Sequence, residues 1–222
     1  MTQLPLGLAL PPRYGSSDFL GSPSNAAALA AITRWPHWPD PVLIVVGPAG
    51  SGKTHLSHLW AGRAGARRLD RADLTNLLPE VAAGHGVIDG ADDLALPEAE
   101  FFHLLNLIRE RRSSLLITAR KPPDRWSLTT PDLLSRLRLA PCVEIETPDE
   151  ALVRAVLVKL FDDRQLRVDA TLIDYLALRL DRSLAAVGEV VATLDAAGLS
   201  SGRRITRTLA ATLLGDLHLD AE

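Results

Sequence analysis

The sequence predicts an α/β fold in which a parallel β-sheet flanked by helices is followed by a small all-helical lid. Up to about residue 148, short and continuously apolar stretches alternate with helical ones, and this βαβ order favours a parallel sheet covered by helices. From residue 149 onward the apolar residues recur at helical spacing instead. We therefore expect an extended N-terminal arm at 1–25, an α/β core at 26–148 and a helical lid at 149–222.

Composition limits the classes of protein to consider. At 222 residues, 47% apolar and 23% charged, the chain can form one large domain, or a larger and a smaller one. A formal net charge of −3 lacks the basic excess of an autonomous DNA-binding domain. Cys142, the single cysteine, excludes an internal disulfide and a multi-cysteine metal site. The start lacks the basic region of a signal peptide and no apolar run reaches the roughly 18 residues of a membrane span, so we expect a cytoplasmic protein without membrane contact.

The strands and helices are predicted from the apolar runs and from the Gly and Pro residues that separate them. The arm is rich in Pro, Gly and Ser, and the first helix, at 25–34, ends at Trp35-Pro36. Buried strands are predicted at 42–46, 86–89 and 114–118, and a final strand is predicted at 142–145. Helices are predicted at 53–64 and 97–111 in the core, and at 151–161, 170–178, 183–194 and 206–214 in the lid.

The first strand leads into a glycine-rich loop with the pattern of a phosphate-binding P-loop. Its candidate residues are Gly47, Pro48, Ala49, Gly50, Ser51, Gly52, Lys53 and Thr54. Glycine lets backbone amides approach phosphate oxygens without a Cβ in the way, and the start of the following helix adds partial positive charge. Lys53 is then expected on the β- and γ-phosphates and Thr54 on Mg²⁺. The chain has 3 lysines against 21 arginines, yet it places a lysine at the position this cradle requires, which predicts a site for ATP or ADP with Mg²⁺.

A carboxylate for the metal is expected at the end of the second core strand. Asp89 ends that apolar run, where P-loop enzymes place an acid that holds Mg²⁺ through water. The next residue is Gly90, although hydrolysing P-loop proteins usually carry Asp or Glu there, so intrinsic ATPase activity is predicted to be weak or absent. Asp92 and Asp93 could substitute, but acids are also favoured at the start of a helix, and we interpret them in that way.

Four further side chains complete the set of candidates. Thr118, at the end of the next strand, is either a polar contact near the γ-phosphate or a strand-ending hydroxyl. Arg136 lies in a short helical stretch before the last strand, where an arginine could reach the γ-phosphate of a neighbouring subunit. His55 directly follows the P-loop and is also counted among the nucleotide-binding residues. His55 and His58 share a helix face without a convincing third metal ligand, and packing or solvent contact accounts for both.

Together these segments resemble the DnaA family of replication initiators, which are AAA+ P-loop NTPases. The matching segments are 19–25, 47–58, 115–118, 121–123 and 131–137. The resemblance runs over nearly the whole chain, and the combination of segments is far more specific than the P-loop alone. It implies an AAA+ core followed by a helical lid.

The length of the sequence favours a regulator of the initiator over the initiator itself. Initiators carry a C-terminal helix-turn-helix domain that reads DNA, whereas this sequence ends after the predicted lid, so we expect it not to be a complete initiator. Gln3, Leu4, Leu6 and Leu8 resemble the short peptide by which relatives dock on the DNA polymerase sliding clamp, where leucine anchors suit a hydrophobic groove. A frayed terminus is the alternative. DNA would be reached only indirectly, through the clamp, and a homodimer is left open.

The resemblance also implies how such a regulator acts. Bound to the clamp, it would engage the ATP-bound initiator DnaA and trigger hydrolysis of the initiator's ATP, which prevents re-initiation. Arg136 matches the arginine finger of the family and would act in trans. In relatives of this type the protein's own site holds ADP as a structural ligand, which agrees with Gly90 in place of an acid.

The chain departs from the family at two places. The lid helix normally supplies an arginine to the phosphates, and Ala185 takes that position, although Arg182 or Arg179 could compensate. Two residues after Thr118, where the family often has an acid, the chain has Arg120. Both departures argue further against hydrolysis by this chain.

Two other functions remain open. An active AAA+ ATPase, such as a helicase loader or a transposition helper, pairs the same core and lid and would show substantial intrinsic turnover. Gly90 and Ala185 argue against it. A pure adaptor between clamp and initiator would need no nucleotide, and substitution of Lys53 would then be harmless.

Overall fold

A computed structural model describes residues 15, 18–76, 84–92, 97–202 and 204–219. These residues divide into two compact units, one within 14–147 and the other from residue 148 onward. The candidate clamp-binding residues lie outside the described residues, and so does one of the two acids that follow Asp89. They are Gln3, Leu4, Leu6 and Leu8, and Asp93.

The first unit is built on a parallel sheet. Its strands are β1 (Val42–Val46), β2 (Arg67–Arg68), β3 (Gly86–Ile88), β4 (Leu115–Ala119) and β5 (Cys142–Glu144). They lie in the order β2-β3-β4-β1-β5, and each neighbouring pair is parallel. Because the carboxyl ends of parallel strands share one edge, the residues that follow β1, β3 and β4 come together at that edge.

β1 is buried on both sides, which explains its unbroken apolar run. Val42 and Ile44 pack into the cluster on one face of the sheet, while Leu43 and Val45 pack into the cluster on the other face. Side chains alternate between the faces of a strand, so a central strand covered on both faces needs apolar residues throughout. This burial fixes the strand that leads into the P-loop.

Helices cover the two faces of this sheet. They are α1 (Ala26–Thr33), α2 (Lys53–Ala64), α3 (Arg71–Asn76), α4 (Glu98–Glu110) and α5 (Pro131–Arg138). α1 and α2 pack on one face through side chains such as Ile32 and Trp60. α4 and α5 pack on the other through side chains such as Leu105 and Leu133. Burial of each of these large side chains contributes about 1.5–3 kcal/mol.

The predicted βαβ arrangement of the core is confirmed, and two elements lie outside the prediction. β2 is two residues long and consists of the exposed arginines Arg67 and Arg68, so no apolar run marks it in the sequence. The six-residue helix α3 follows it. The strand ends also differ by one residue from the prediction, since β3 ends at Ile88 and β4 extends to Ala119.

The segment before α1 is held against the core by polar contacts. Asn25 is 2% exposed, accepts a hydrogen bond from the Ser22 amide at 2.9 Å and donates from Nδ2 to the Leu20 carbonyl at 2.9 Å. The Glu146 amide donates to the Ser24 carbonyl at 2.9 Å. The last residues of the predicted arm therefore pack on the core.

The second unit is helical in its described part. Its helices are α6 (Glu150–Asp163), α7 (Ala170–Arg179), α8 (Leu184–Ser201) and α9 (Arg207–Leu219). Their apolar faces form one cluster around residues such as Leu157 and Val191. Asp149 caps α6 by accepting the Leu152 amide at 2.7 Å, and the Ser183 hydroxyl caps α8 in the same way. The predicted helical region after the core is confirmed.

α8 is long and apolar enough, by length and composition, to cross a membrane. Val187, Val191 and Leu194 on this helix are buried in the apolar cluster of the second unit. One such helix is weak evidence for a membrane span, because the core helix of a globular unit has the same properties.

Candidate nucleotide-binding site

The loop between β1 and α2 has the backbone shape that a phosphate cradle needs. Gly50 and Gly52 have φ angles of 69° and 102°, in the left-handed region that favours glycine, and Gly52 directly precedes α2. At Gly47 a Cβ would lie 2.4 Å from the Ile145 carbonyl oxygen. Ser51 is 1% exposed, and its Oγ makes no hydrogen bond among the described residues. A glycine-dependent loop with a buried, unpartnered hydroxyl at a helix start fits a bound phosphate group.

Lys53 and Thr54 begin α2 and bring their side chains to this loop. Lys53 Nζ donates to the carbonyl oxygens of Gly47 and Pro48, at 2.7 Å each, which holds the ammonium group against the loop. Thr54 Oγ1 donates to Asp89 Oδ2 at 3.0 Å. A hydroxyl and a carboxylate are the kind of oxygen ligands that Mg²⁺ takes, together with waters and nucleotide phosphates. The residues present therefore fit a nucleotide with its Mg²⁺.

The ends of β3 and β4 supply a carboxylate and a hydroxyl that contact each other. Thr118 is 1% exposed, and its Oγ1 donates to Asp89 Oδ1 at 2.5 Å. The Gly90 amide donates to the same Thr118 oxygen at 3.0 Å. The structure thus brings Thr54, Asp89 and Thr118 into one hydrogen-bonded group, which we call the Asp89 group.

An arginine that the sequence pattern does not identify also belongs to the Asp89 group. Arg68 on β2 donates from Nη2 to Asp89 Oδ2 at 3.0 Å and from Nη1 to Ser57 Oγ at 3.0 Å. Ser57 is fully buried on α2. In the sequence, Arg68 is one of many arginines in a segment without an apolar run, so only the sheet order reveals its partner.

The two histidines of α2 have different surroundings. The His55 ring meets the Phe19 ring edge to face, with 5.3 Å between the centroids. Burial, followed by the charge of Arg68, lowers the pKa of His58 below its ordinary value. Within the described ranges, no three His, Cys, Asp or Glu side chains are grouped so that they could hold a metal ion. The contact of His55 with Phe19 is one of packing.

Asp92 fastens a loop. Its carboxylate accepts hydrogen bonds from the Arg120 amide, at 3.0 and 2.8 Å to the two oxygens, and from the Lys121 amide at 3.2 Å. These amides belong to the segment directly after β4. Asp92 therefore has a structural role in connecting the ends of β3 and β4.

Arg136 lies on α5, and its guanidinium packs over the Phe102 ring, 5.7 Å from the ring centroid. The carbonyl oxygen of Arg136 accepts a hydrogen bond from Arg109 Nη2 at 3.3 Å. Arg109 also pairs with Asp40 at 3.2 Å. The backbone of α5 is thereby tied to α4, while the side chain of Arg136 remains partly exposed.

The resemblance to DnaA places an arginine of the lid helix at position 185, which is Ala185 in this chain. The nearby Arg179 and Arg182 are both exposed. Ala185 lies exposed in the first turn of α8, and Arg182 is exposed just before that helix. The Arg179 guanidinium packs over the Tyr175 ring at 4.2 Å from the centroid, a contact within the helical unit. The described contacts of Arg179 are therefore those of a cation on an aromatic face.

Comparison with known proteins finds relatives among replication initiators. No family model matches the chain. The chromosomal replication initiator protein DnaA of Thermus thermophilus is 23% identical over 241 residues, which cover 96% of this chain and 55% of the relative. The DnaA of Limosilactobacillus reuteri is 25% identical over 236 residues, which cover 94% of this chain and 54% of the relative. The chain thus spans about half the length of the curated relatives it matches.

Solved structures with the same fold include domains of DnaA and RuvB. Domain III of Thermotoga maritima DnaA superimposes with a TM-score of 0.80 at 20% identity, over 91% of this chain and 96% of that one. AMPPCP-bound DnaA from Aquifex aeolicus superimposes with a TM-score of 0.70 at 18% identity, over 83% of this chain and 65% of that one. A Thermotoga maritima RuvB mutant superimposes with a TM-score of 0.66 at 14% identity, over 91% of this chain and 70% of that one. These likenesses confirm the predicted AAA+ fold with its helical C-terminal region.

Sequence and fold lead to the same group of proteins. The similarity to DnaA extends over nearly the whole chain, and the α/β unit combines a P-loop with Asp89, which accepts hydrogen bonds from Thr54 and Thr118. The chain is similar in sequence to DnaA over nearly its whole length and has the fold of an AAA+ domain.

Proposed function

We propose that this chain binds ADP or ATP with Mg²⁺ and acts like Hda, the DnaA-homologous regulator that inactivates the replication initiator. Its partners are the ATP-bound initiator DnaA and the sliding clamp, and its own ATPase activity is weak or absent. In this function nucleotide is a conformational cofactor, and the chemistry takes place on the partner's ATP. The single observation that carries the proposal is the backbone at Gly90.

Gly90 occupies the place of the acid that orients water in hydrolysing relatives, and its φ angle is 71°. A side chain is strained in this backbone conformation, although no atom lies within 4 Å of a Cβ built there, so the backbone at this position favours glycine over Asp or Glu. The Gly90 amide is bonded to Thr118, which ties the conformation to the Asp89 group. We infer that the site binds nucleotide and hydrolyses it slowly.

Nucleotide binding is supported by the cradle itself. Lys53 lies against the glycine loop, and Thr54 and Asp89 are in contact where Mg²⁺ would be held. The solved structures with the same fold include a DnaA bound to AMPPCP, an ATP analogue. Mg²⁺ would supply charge neutralisation at the phosphates, while Lys53 and the loop amides hold and orient them.

Arg136 is the residue proposed to act on the partner. It is partly exposed, and the Phe102 ring supports its guanidinium. A planar guanidinium can form two parallel hydrogen bonds to phosphate oxygens, which suits an arginine finger acting in trans. The bond from Arg109 to the Arg136 carbonyl steadies the helix that carries it.

The clamp is proposed from the N-terminal sequence. Gln3, Leu4, Leu6 and Leu8 have the spacing of an extended peptide with apolar anchors and a hydrogen-bonding amide. Replacement of both Leu6 and Leu8 by Ala is expected to abolish binding to the clamp in a titration, with the thermal unfolding midpoint unchanged. Unchanged clamp affinity would remove the clamp from the proposed function.

The decisive experiment measures hydrolysis of labelled ATP held by the cognate initiator, with clamp-loaded DNA and this protein. Wild type is expected to stimulate hydrolysis, and Arg136→Ala to lose the stimulation, because an arginine finger contributes on the order of 10³-fold or more in rate. Arg138→Ala is the matched control: Arg138 lies two residues away on α5 and pairs with Asp124. No stimulation by wild type, or equal loss in both variants, would contradict the proposal.

Two further measurements separate the alternatives. Rapid ATP turnover by the purified chain alone would favour an active ATPase of the helicase-loader type. Stimulation that survives in Lys53→Ala would favour a pure adaptor, since Lys53 contacts the phosphate loop directly. Lys159→Ala removes a lysine that pairs with Asp163 in the helical unit and serves as the control.

A further inference from the structure

We propose that Arg68 acts as a built-in cation of the nucleotide site, which allows the site to retain ADP with little dependence on Mg²⁺. The inference rests on the proposed nucleotide binding. In P-loop proteins Mg²⁺ offsets the charge of the phosphates and is held near the carboxylate at the strand end. In this chain a guanidinium contacts that same carboxylate.

Two hydrogen bonds hold the Arg68 guanidinium in place. Nη2 donates to Asp89 Oδ2 and Nη1 donates to Ser57 Oγ, both at 3.0 Å. Ser57 is fully buried, and its hydroxyl in turn donates to the Thr54 carbonyl at 2.9 Å. Arg68 is therefore anchored to the helix that begins at the P-loop, and its position is coupled to that of Thr54.

The contact changes the charge at the place where the metal is expected. Asp89 Oδ2 accepts from both Thr54 and Arg68, and Asp89 Oδ1 accepts from Thr118. A cation that binds beside Asp89 Oδ2 meets the permanent positive charge of the guanidinium, which weakens Mg²⁺ binding. The same charge attracts a nucleotide's phosphates whether or not Mg²⁺ is present.

Strand geometry selects Arg68 and not its neighbour. Arg67 precedes it on β2, and successive side chains on a strand point to opposite sides. Arg67 pairs with Asp73, at 2.5 Å, and not with Asp89. Two arginines adjacent in sequence therefore differ in their access to the Asp89 group, which provides a matched pair for an experiment.

The effect of Arg68 can be measured as the factor by which Mg²⁺ raises the affinity for ADP, because binding of the metal and of the nucleotide are thermodynamically linked. If Mg²⁺ strengthens ADP binding by some factor, ADP strengthens Mg²⁺ binding by the same factor. A fixed cation at Asp89 reduces that factor, because part of the electrostatic contribution is present without the metal. Removal of the Arg68 charge should therefore increase the factor by which Mg²⁺ raises ADP affinity.

The test is a titration of the full chain with fluorescently labelled ADP, in excess Mg²⁺ and in excess chelator. For wild type we expect the two dissociation constants to differ by less than about 3-fold, and for Arg68→Gln by about 10-fold or more. Arg68→Lys keeps the charge and should remain nearer to wild type. Arg67→Gln should behave as wild type, and the thermal unfolding midpoint of each variant checks that it is folded.

The outcomes distinguish this inference from the proposed function. If wild type binds ADP but Arg68→Gln has the same Mg²⁺ dependence, the inference is wrong and the proposed function is unaffected. A large Mg²⁺ dependence in wild type would also contradict it. If wild type fails to bind ADP in Mg²⁺, the proposed nucleotide site and the inference are both wrong.

Discussion

The two compact units of this chain use polar side chains in different ways. In the α/β unit, polar residues at the ends of strands contact one another, as in the bond from Thr118 to Asp89. In the helical unit the interior is apolar, and charged residues form pairs along or between helices, such as Arg154 with Glu150 and Lys159 with Asp163. The first arrangement brings a carboxylate, two hydroxyls and a guanidinium together at one place among the described residues.

The difference shows where chemistry can be located in such a chain. Pairs four residues apart on a helix contribute about 0.3–0.5 kcal/mol each and are screened by water. Partly buried groups at the edge of a parallel sheet, by contrast, are held by several hydrogen bonds and face the start of a helix. The helical unit is stabilised chiefly by apolar packing, while the α/β unit also carries the candidate site.

The largest effect is expected from the apolar interior of the helical unit. Leu157 is fully buried, whereas its neighbour Val158 is 54% exposed. Leu157→Ala is expected to lower the free energy of unfolding by about 2–5 kcal/mol, because it removes buried methyl groups and leaves a cavity. Val158→Ala should change it by less than about 0.5 kcal/mol. Urea unfolding followed by circular dichroism measures both, and equal effects would contradict apolar packing as the source of stability.

Replacement of a glycine by alanine should destabilise the α/β unit at Gly47 and stabilise the helical unit at Gly188. Gly47→Ala would place a Cβ 2.4 Å from the Ile145 carbonyl oxygen, so the loop or its neighbour must shift, at a cost of about 1–3 kcal/mol. Gly188→Ala, in the middle of α8, meets no atom within 4 Å and should stabilise that helix by about 0.5–1 kcal/mol. Thermal unfolding of the two variants tests this contrast, and stabilisation by Gly47→Ala would refute the tight packing of the loop.

The smallest expected effect is a pH dependence of the stability of the α/β unit that arises from Glu98. Hydrogen bonds from the Thr130 side chain and the Thr129 amide lower the pKa of Glu98 to about 2, from an ordinary 4.5. A lowered pKa in the folded state contributes stability that is present above pH 4.5 and is lost as pH falls through about 2. Glu98→Gln should therefore be less stable than wild type near neutral pH.

The difference between Glu98→Gln and wild type should shrink between pH 4.5 and pH 2, as the wild-type carboxylate becomes protonated. Chemical unfolding at a series of pH values measures it, with Glu100→Gln on the same helix as the control. A difference that stays constant with pH would show that the hydrogen bonds to the Glu98 carboxylate do not stabilise the folded state.

Local sequence patterns predict much of this fold because they act over a few residues. The apolar run at 42–46 and the glycines after it mark the strand and the loop, and the 3.6-residue spacing from residue 149 marks the helical unit. The pattern also identifies Lys53, Thr54, Asp89 and Thr118 as residue types suited to a nucleotide. It misses β2, because two exposed arginines carry no periodic signal.

The contacts between those residues come from the tertiary structure. Arg68 and Asp89 are 21 residues apart, and Thr54 and Asp89 are 35 apart; neither separation leaves a local pattern. They meet because the strand order β2-β3-β4-β1-β5 and the parallel register bring separate strand ends to one edge. The sequence by itself determined which elements form and which chemical groups they carry, since propensity and periodicity are local. Only tertiary packing decided that Arg68, from a strand without a periodic pattern, lies against the Asp89 carboxylate of the candidate nucleotide site.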